Sequence, residues 1–477
     1  MGNGRNGLTG MIMLPALHIL LKWSLPGMAG LLLAAGLAEG HASEEDTTRA
    51  WKQEQPPAED WQRRLEMLRS VPYLAYAPTV DEDTLRGVTF HDPDRACQGY
   101  SFYSTWATGE AFLVDMDGAQ VHRWSFWPER RNNPDYAFLQ ADGDLLVIHE
   151  YAQLKRIGWD SRVLWEKDIR AHHDVRAAPD GTLWVIVRSL HIYRGHRVWF
   201  DDLIHLDCRG EELDRWSTFE RLGALRRDLD TRSFLDTALD SLPGGTTERL
   251  AEGAPGEPLD TEADRTEQPP PAMETIRSPG ISRMPSRTDR RRELDYFHIN
   301  TISLLPDTPL GRADDRFRAG NLLICLRNVN QIAVLDPETG KIRWAWGEGE
   351  LEWPHHPTML ADGRILLFDN GVRRGFSRVV EMDPSSGSIV WQYRADPPED
   401  FYSYGRGSAQ RLTNGNTLIC ESDRGRVFEV TPQGETVWTW WNPLMKGDRH
   451  GTVYRMTRRP AGVVGPLLDD GSADELR

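Results

Sequence analysis

The chain has 477 residues, with 56 Lys+Arg against 72 Asp+Glu and a formal net charge of -16. This acidic balance argues against a nucleic-acid partner, because neutralising phosphates needs a clustered basic excess. With 39% hydrophobic and 27% charged residues, the chain can bury a core but is not a polytopic membrane protein, and only one segment is apolar enough to enter a membrane.

That apolar segment lies at the start of the chain. Residues 11–38 are almost wholly apolar and end in small residues, as a secretory signal does. We therefore expect that the protein is exported and that residues 1–42 are a signal peptide or a membrane anchor. The protein would then be periplasmic, either soluble or tethered through residues 11–38. Residues 43–95 are expected to form an N-terminal extension with a short helix near Asp60–Leu68.

Six tryptophans recur at a spacing that is typical of propeller blades. Their separations are 41, 51, 128, 47 and 47 residues, so four intervals have the length of a four-stranded blade and one holds an insertion. Turns such as Asp115–Gly118 supply the hairpin chemistry. The sequence predicts an all-β fold, a six-bladed β-propeller with blades 1–3 in residues 96–218 and blades 4–6 in 295–445. The six residues are Trp124, Trp165, Trp216, Trp344, Trp391 and Trp438.

Two further segments are predicted to lie outside the blades. Residues 219–294 form an insertion between blades 3 and 4: its leucines have helical spacing at first, and its later part has the composition of a disordered segment. Residues 446–477 are predicted to be a polar, poorly ordered tail. Cys325 and Cys420 fall at equivalent places in blades 4 and 6, which are not neighbours, so we expect no disulfide between them.

Polar residues cluster where the blades would meet at one mouth of the channel. In an antiparallel blade, the start of the innermost strand and the end of the second strand share a face. Inner-strand starts carry His172, His173, His298, Asn300, His355 and His356. Second-strand ends carry Arg188, Arg327, Asn328 and Asn370. Their convergence predicts a site of imidazoles and guanidinium groups, with no evident acidic partner.

Such a set of side chains suits a tetrahedral oxyanion. Arginine can hold two oxygens at once and an imidazole can act as nucleophile, which favours sulfuryl or phosphoryl transfer. Histidine clusters also bind zinc, but no His-x-x-x-His pair accompanies these residues, so we predict no metal and no cofactor. Two alternatives stay open: a non-catalytic exported propeller that binds a ligand or a partner protein, and a quinone-type or metal-dependent oxidoreductase.

Four sequence motifs resemble a known family. They are HINTI at His298–Ile302, LRNVN at Leu326–Asn330, HHPTM at His355–Met359 with LFDNG at Leu367–Gly371, and Gly407–Asn416 followed by Gly425–Val430. In this order around six tryptophans, they resemble the bacterial PAPS-independent arylsulfotransferases, over about residues 71–443 outside the insertion. The resemblance implies a six-bladed propeller that passes a sulfuryl group from an aryl sulfate ester to a phenol through a transiently sulfurylated histidine.

The resemblance also implies roles for single residues. His355 corresponds to the nucleophile, while His173, His298 and Arg327 correspond to groups that bind and polarise the sulfuryl group. The other candidates are predicted to bind substrate; they are His172, His356, Arg188, Asn300, Asn328 and Asn370. Which histidine of each doublet faces the site stays open, and Pro354 stands where the family usually has Gln. The expected partners are aryl sulfates and phenols; the oligomeric state is not predicted, because residues 43–95 are too short for the dimerising β-domain of better known members.

Overall fold

The structure is a computed structural model that describes residues 85–105, 108–126, 135–229, 294–447 and 449–469. The predicted signal peptide or anchor (1–42), the predicted helix near Asp60 and most of the predicted insertion lie outside these residues. Within the described ranges, no helix combines the length and the apolar character that a membrane crossing requires.

Six main sheets, antiparallel except for the short strand Leu294–Asp295, form a ring, so the predicted six-bladed β-propeller is confirmed. Strand β1 is Gly87–His91; blade 1 has β2 (Tyr100–Thr105), β3 (Glu110–Val114) and β4 (Gln120–Ser125); blade 2 has β5 (Asp135–Leu139), β6 (Leu145–His149), β7 (Gln153–Ile157) and β8 (Val163–Lys167); blade 3 has β9 (Ala171–Ala177), β10 (Leu183–Tyr193), β11 (His196–Leu206) and β12 (Glu212–Ser217). After β13 (Leu294–Asp295), blade 4 has β14 (Ile299–Leu304), β15 (Leu322–Leu326), β16 (Gln331–Asp336) and β17 (Lys341–Trp346); blade 5 has β18 (Pro354–Met359), β19 (Ile365–Asp369), β20 (Arg378–Asp383) and β21 (Ser388–Tyr393). Blade 6 has β22 (Ser408–Arg411), β23 (Thr417–Glu421), β24 (Arg426–Val430) and β25 (Thr436–Trp441), followed by β26 (Met445–Lys446), β27 (Arg449–His450) and β28 (Val453–Arg459).

The residue pattern of each strand follows its place in the blade. The second strands of blades 2, 4, 5 and 6 are buried along their whole length, and Leu322–Leu326 is a continuous apolar run. The outer strand Ser388–Tyr393, in contrast, alternates between exposed and half-buried residues. The turns between strands use an Asp side chain: Asp115 Oδ1 accepts from the backbone N–H groups of Asp117 and Ala119.

The core lies between successive blades. In the described part of the chain, buried apolar side chains form six clusters, and each cluster joins two neighbouring blades. The inner strands contact one another around the ring, which brings the starts of these strands to one mouth of the channel and their ends to the other. The position of a residue along its inner strand therefore decides which mouth it faces.

The periodic tryptophans lie at the outer edges of these contacts between blades. Three of the six donate their indole N–H to a backbone carbonyl in a turn of the next blade, whereas the indole nitrogens of Trp124 and Trp165 are buried without a hydrogen-bond partner among the described residues. The pairs are Trp216 to Gly340 (3.0 Å), Trp391 to Pro432 (2.8 Å) and Trp438 to Met116 (2.9 Å). In blade 4 this role falls to Trp346, which donates to Gly387 (3.1 Å), whereas the predicted Trp344 packs against Phe317.

The C-terminal part of the chain differs from the prediction of a poorly ordered tail over 446–477. Strand β28 pairs with β2 as the innermost strand of blade 1, and helix α3 (Ala461–Asp469) follows it. The arginines of β28 give the segment a polar composition, yet Arg458 is buried because it binds Ser101, Glu429 and the Cys97 carbonyl. Strand β1, in the predicted extension, likewise pairs with β25 as a fifth strand of blade 6.

Two short helices border blade 4. Helix α1 (Leu222–Asp228) begins the predicted insertion and buries Leu222 and Leu225 in the cluster between blades 3 and 4, as the leucine spacing predicts. Helix α2 (Pro309–Ala313) is capped by Thr308, whose side chain accepts from Gly311 N. All four cysteines are free thiols, and Cys325 and Cys420 lie on the second strands of blades 4 and 6.

Candidate active site

Five histidines are buried at the mouth formed by the inner-strand starts of blades 3, 4 and 5. Their exposed fractions are 1% for His172, 1% for His173, 4% for His298, 2% for His355 and 6% for His356. Three of them have left-handed backbones, with φ of 59° at His173, 53° at His298 and 51° at His356. Non-glycine residues rarely adopt this conformation, and where it occurs it is concentrated at functional sites.

His298 and His173 form the centre of a chain of polar contacts. His298 Nδ1 lies 2.5 Å from Asp295 Oδ2, and its Nε2 lies 3.1 Å from His173 Nε2. His173 Nδ1 lies 2.7 Å from His172 Nδ1, and His172 Nε2 lies 3.1 Å from Asp201 Oδ1. The contacts therefore run from one buried carboxyl group through three imidazoles to a second carboxyl group.

The direction of these hydrogen bonds follows from the charge at one end. Arg188 Nη2 lies 2.9 Å from Asp295 Oδ2, which stabilises Asp295 as a carboxylate acceptor. His298 then donates from Nδ1, accepts at Nε2 from His173, and His173 accepts at Nδ1 from His172. His172 Nε2 is left with its lone pair 3.1 Å from Asp201 Oδ1, a close contact without hydrogen-bond geometry. Burial, and next the charge of Asp295, raise the pKa of Asp201 well above its usual value, which favours a protonated carboxyl opposite this lone pair.

His355 has one fixed nitrogen and one available nitrogen. Its Nδ1 lies 2.9 Å from the Trp353 carbonyl oxygen and 2.7 Å from Asn370 Oδ1. Asn370 Nδ2 donates to the Ser403 and Arg406 carbonyls, so its Oδ1 is the atom that faces the imidazole. With two acceptors at Nδ1, the proton resides there and the lone pair is at Nε2. Among the described residues, Nε2 is buried and has no hydrogen-bond partner.

Arg327 supplies positive charge beside these imidazoles. Its side chain is 1% exposed, and its guanidinium carbon lies 4.4 Å from the ring centre of Trp353. Burial and next the charge of Arg327 lower the pKa of His355 to about 3. Burial also lowers the pKa values of His173 and His298 well below their usual range, and the Arg327 charge contributes to both shifts. All three imidazoles are therefore neutral at pH 7, and a neutral imidazole is the nucleophilic form.

The structure separates the two histidines of the 355–356 doublet. His356 Nδ1 contacts the Ala409 carbonyl oxygen at 3.1 Å, and its backbone N–H donates to Thr301 Oγ1. After burial, the largest influences on its pKa are the charges of Arg455 and Arg176, which lower it. His355 is thus the member of the doublet beside Arg327, whereas His356 faces blades 4 and 6.

The three candidate asparagines use their amides within the protein. Asn300 Nδ2 donates to the Pro354 carbonyl (2.9 Å), and Asn328 Nδ2 donates to the Asp295 carbonyl (2.7 Å). Asn328 Oδ1 accepts from Arg327 Nε (3.1 Å), and Asn370 orients His355 as described above. Their contact with substrate stays a prediction; in the structure these amides position the groups around them.

Acidic residues that the sequence analysis did not find complete the site. The expectation of a site without acidic partners is wrong, since Asp295 and Asp201 contact its histidines and Glu150 Oε1 lies 3.9 Å from His173 Nδ1. Tyr136 donates to Glu150 (3.0 Å), and burial raises the pKa of Glu150 to about 7. Glu150 directly follows the second strand of blade 2, as Arg327 follows the second strand of blade 4, so the same comparison of strand ends identifies Glu150 as a site residue. Asp295 lies three residues before His298, at the first position of the region assigned to blades 4–6.

The described residues show no group of three or more His, Cys, Asp or Glu side chains arranged to hold a metal ion. His173 and His298 contact each other through Nε2, and their Nδ1 atoms contact His172 and Asp295, so the ring nitrogens that would bind a metal ion are already engaged. The arrangement suits a chemistry of imidazoles, carboxyl groups and guanidinium groups.

Residues 257–443 match the family model described as arylsulfotransferase (ASST). This match confirms, over this part of the chain, the resemblance that the motifs indicate. The match contains blades 4 to 6 with His298, Arg327 and His355, and it begins after the blade 3 residues His173 and Arg188. No curated protein sequence matches the chain.

Solved structures with a similar chain path include several propellers. A protein of unknown function from Bacteroides caccae is 14% identical, with 76% of this chain and 98% of that chain covered and a TM-score of 0.42. A streptogramin B lyase is 9% identical, with 81% and 98% covered and a TM-score of 0.41. The β-propeller domain of Cps50 (Swd1) from Myceliophteria thermophila is 10% identical, with 81% and 90% covered and a TM-score of 0.37. None of these similarities bears on function.

Proposed function

We propose that the protein transfers a sulfuryl group from an aryl sulfate ester to a phenol through a sulfohistidine at His355. The arylsulfotransferase domain in residues 257–443 supports the reaction class. The observation that carries the proposal is the environment of His355: a buried Nε2 lone pair without a partner among the described residues, on a ring whose Nδ1 is held by two acceptors.

The first half-reaction forms a bond between His355 Nε2 and sulfur and breaks the bond between sulfur and the aryl oxygen. The ring becomes cationic, and the Trp353 carbonyl and Asn370 Oδ1 stabilise this charge because both already accept from Nδ1–H. Arg327 provides a forked donor for the sulfuryl oxygens as charge moves from sulfur to the aryl oxygen. The second half-reaction reverses these steps with a phenol as the attacking oxygen.

The departing aryl oxide needs a proton unless it is a stable anion. His173 and His298 are neutral, so donation from either is unfavourable unless a second proton follows. Protonated Asp201 can supply it: a proton moves from Asp201 to His172 Nε2, from His172 Nδ1 to His173 Nδ1, and from His173 Nε2 to the aryl oxygen. Asp201 becomes a carboxylate, and the phenol acceptor returns the proton in the second half-reaction.

The test uses p-nitrophenyl sulfate with phenol. The wild-type protein should release nitrophenol continuously, while His355→Ala should lose turnover by a factor of about 10³ or more, as expected for loss of a nucleophile. His205→Ala is the matched control, since His205 lies on β11 of blade 3 and bonds Thr182. With donor alone, one equivalent of nitrophenol and a His355 peptide heavier by one SO₃ group are expected.

Absence of turnover and of the acid-labile adduct would instead support a non-catalytic propeller that binds a ligand. Equal turnover by His355→Ala would move the nucleophile to another residue and contradict the proposal.

The proposal includes export of the protein to the periplasm. It rests on the apolar composition of residues 11–38, which fits a signal peptide or a membrane tether.

A further inference from the structure

A polar cavity lies toward the ends of the inner strands, away from the strand starts that carry the histidines. It has a volume of about 150 Å³ and is lined by residues from β5, β9 and β28, with Phe102 of β2. One ordered water occupies about 10–15 Å³ of a cavity, so this cavity has room for a small ligand with water around it. The histidine site uses the starts of β9, β14 and β18, whereas this cavity uses the later parts of β5, β9 and β28.

Three arginines line this cavity, namely Arg176, Arg455 and Arg459. Asp174 is the carboxylate that the structure places against two of them: its Oδ2 lies 3.2 Å from Arg176 Nη2 and 3.5 Å from Arg455 Nη2. Arg459 Nη2 donates to a neutral acceptor, the Leu139 carbonyl (2.7 Å). Among the described residues, three positive charges thus face one negative charge at this cavity.

Two of these guanidinium groups have donors left over. Arg455 is 8% exposed, and both Arg455 Nε and Arg459 Nε are buried without a hydrogen-bond partner among the described residues. A buried donor without a partner is unfavourable by about 1–3 kcal/mol, so native structures pair nearly all of them. Burial, together with the charges of Arg455 and Arg459, lowers the pKa of Arg176. Unsatisfied donors and mutual repulsion both favour an anion in this place.

We propose that this cavity binds a small oxyanion, of the size and charge of inorganic sulfate or phosphate, through Arg176, Arg455 and Arg459. Thr457 and Gln140 add a hydroxyl and an amide to its lining. A tetrahedral dianion can accept several forked N–H donors at once, and its charge would offset the excess of the three guanidinium groups over Asp174. The site is separate from the proposed transferase site and does not depend on that activity.

The test is calorimetric titration of the full chain with sodium sulfate, and separately with sodium phosphate, at constant ionic strength. We expect saturable binding that Arg459→Gln and Arg455→Gln each weaken at least tenfold. Arg162→Gln is the matched control, because Arg162 is exposed and pairs only with its neighbour Asp160 among the described residues. Arg327→Gln distinguishes the two mouths: binding at the cavity survives this substitution, and binding at the histidine site does not.

A chemical experiment on the wild-type chain covers the case in which a variant fails to fold. Sulfate or phosphate should slow the modification of Arg459 and Arg176 by phenylglyoxal at least fivefold, as read by peptide mass mapping, and leave Arg162 unaffected. Stronger protection by one anion would identify it as the preferred occupant. No binding at millimolar anion, wild-type affinity in Arg459→Gln, or loss of all binding in Arg327→Gln would overturn the proposal.

Discussion

The side chain of Asn370 decides which nitrogen of His355 carries the proton. Its amide is held in one orientation by two carbonyl acceptors, from Ser403 and Arg406, and presents Oδ1 to His355 Nδ1. A carboxylate in this place would charge the imidazole, and an apolar residue would let it change tautomer. The amide keeps the ring neutral with its lone pair at Nε2, the form that the proposed attack on sulfur requires.

Replacing Asn370 with Ala should therefore lower kcat without a matching change in KM. Loss of a buried hydrogen bond of this kind is worth about 1–3 kcal/mol, or about 5- to 150-fold in rate. Steady-state kinetics with p-nitrophenyl sulfate and phenol measure the effect, with thermal unfolding as a check on folding. Asn414→Ala, in an exposed turn of blade 6, is the control. A loss confined to KM would mean that Asn370 binds substrate instead.

At this scale the sequence predicts the identity of most site residues but not their partners. Matching positions in successive blades find the histidines, since each opens an inner strand. Counting back from the turn that follows each inner strand equates His173 of blade 3 with His355 of blade 5. The residue of blade 5 that shares the left-handed backbone of His173 is instead His356, because β-bulges of different size interrupt β9 and β18. Asp295 and Asp201 come from a short parallel strand and a third strand, for which the blade repeat gives no signal.

Among the elements, strand β28 has the largest structural role for its length. It is the innermost strand of blade 1, and its Val453 and Met456 lie in the cluster between blades 6 and 1. Arg458 on the same strand contacts Glu429 of blade 6. The first and last parts of the chain thereby close the ring together.

A chain that ends at Gly451 should fail to fold to a stable monomer, because blade 1 loses its inner strand and an apolar seam is exposed to water. A chain that ends at Asp469 keeps β28 and α3 and serves as the control, with an unfolding midpoint close to that of the full chain. Circular dichroism and thermal unfolding of both chains measure the difference. A stable, cooperative midpoint for the shorter chain would contradict this role of β28.

The blades themselves are well predicted because turn chemistry, apolar runs and tryptophan spacing all repeat. Strand β28 escapes the prediction for a physical reason: three of its seven residues are arginines, and their burial depends on partners from other blades. The prediction that Trp344 is the periodic tryptophan of blade 4 is wrong for a similar reason. Only the position of the turn in the next blade decides whether Trp344 or Trp346 can donate to it.

Over the whole molecule, buried titratable groups of two kinds act on stability in opposite directions. The pKa values of the five site histidines are lowered, to about 3 for His172 and His355, so their contribution is present above pH 6.5 and is lost as the pH falls through the folded values. Glu150 behaves in the opposite sense. Its pKa is raised to about 7, so its contribution is present below the ordinary value of 4.5 and is lost as the pH rises through 7.

The substitution Glu150→Gln isolates the second effect. The variant keeps an acceptor for Tyr136 but cannot ionise, so it should match the wild type near pH 4.5 and exceed its free energy of unfolding above pH 7. One pKa unit corresponds to about 1.4 kcal/mol, so the rise from 4.5 to about 7 sets an upper limit of about 3.5 kcal/mol on the gain. Urea unfolding at the two pH values measures it, and Glu166→Gln on the exposed β8 is the control. An equal difference at both pH values would refute the assignment.

The left-handed backbone at His173, His298 and His356 limits how far the thermal stability of this protein can rise while the site keeps its imidazoles. Each bend holds roughly 1–3 kcal/mol of backbone strain that glycine would relieve. Glycine would also remove the imidazole. Selection for thermal stability alone would therefore replace these histidines first. A relative with glycine at these three positions would be more stable and would lack the three imidazoles.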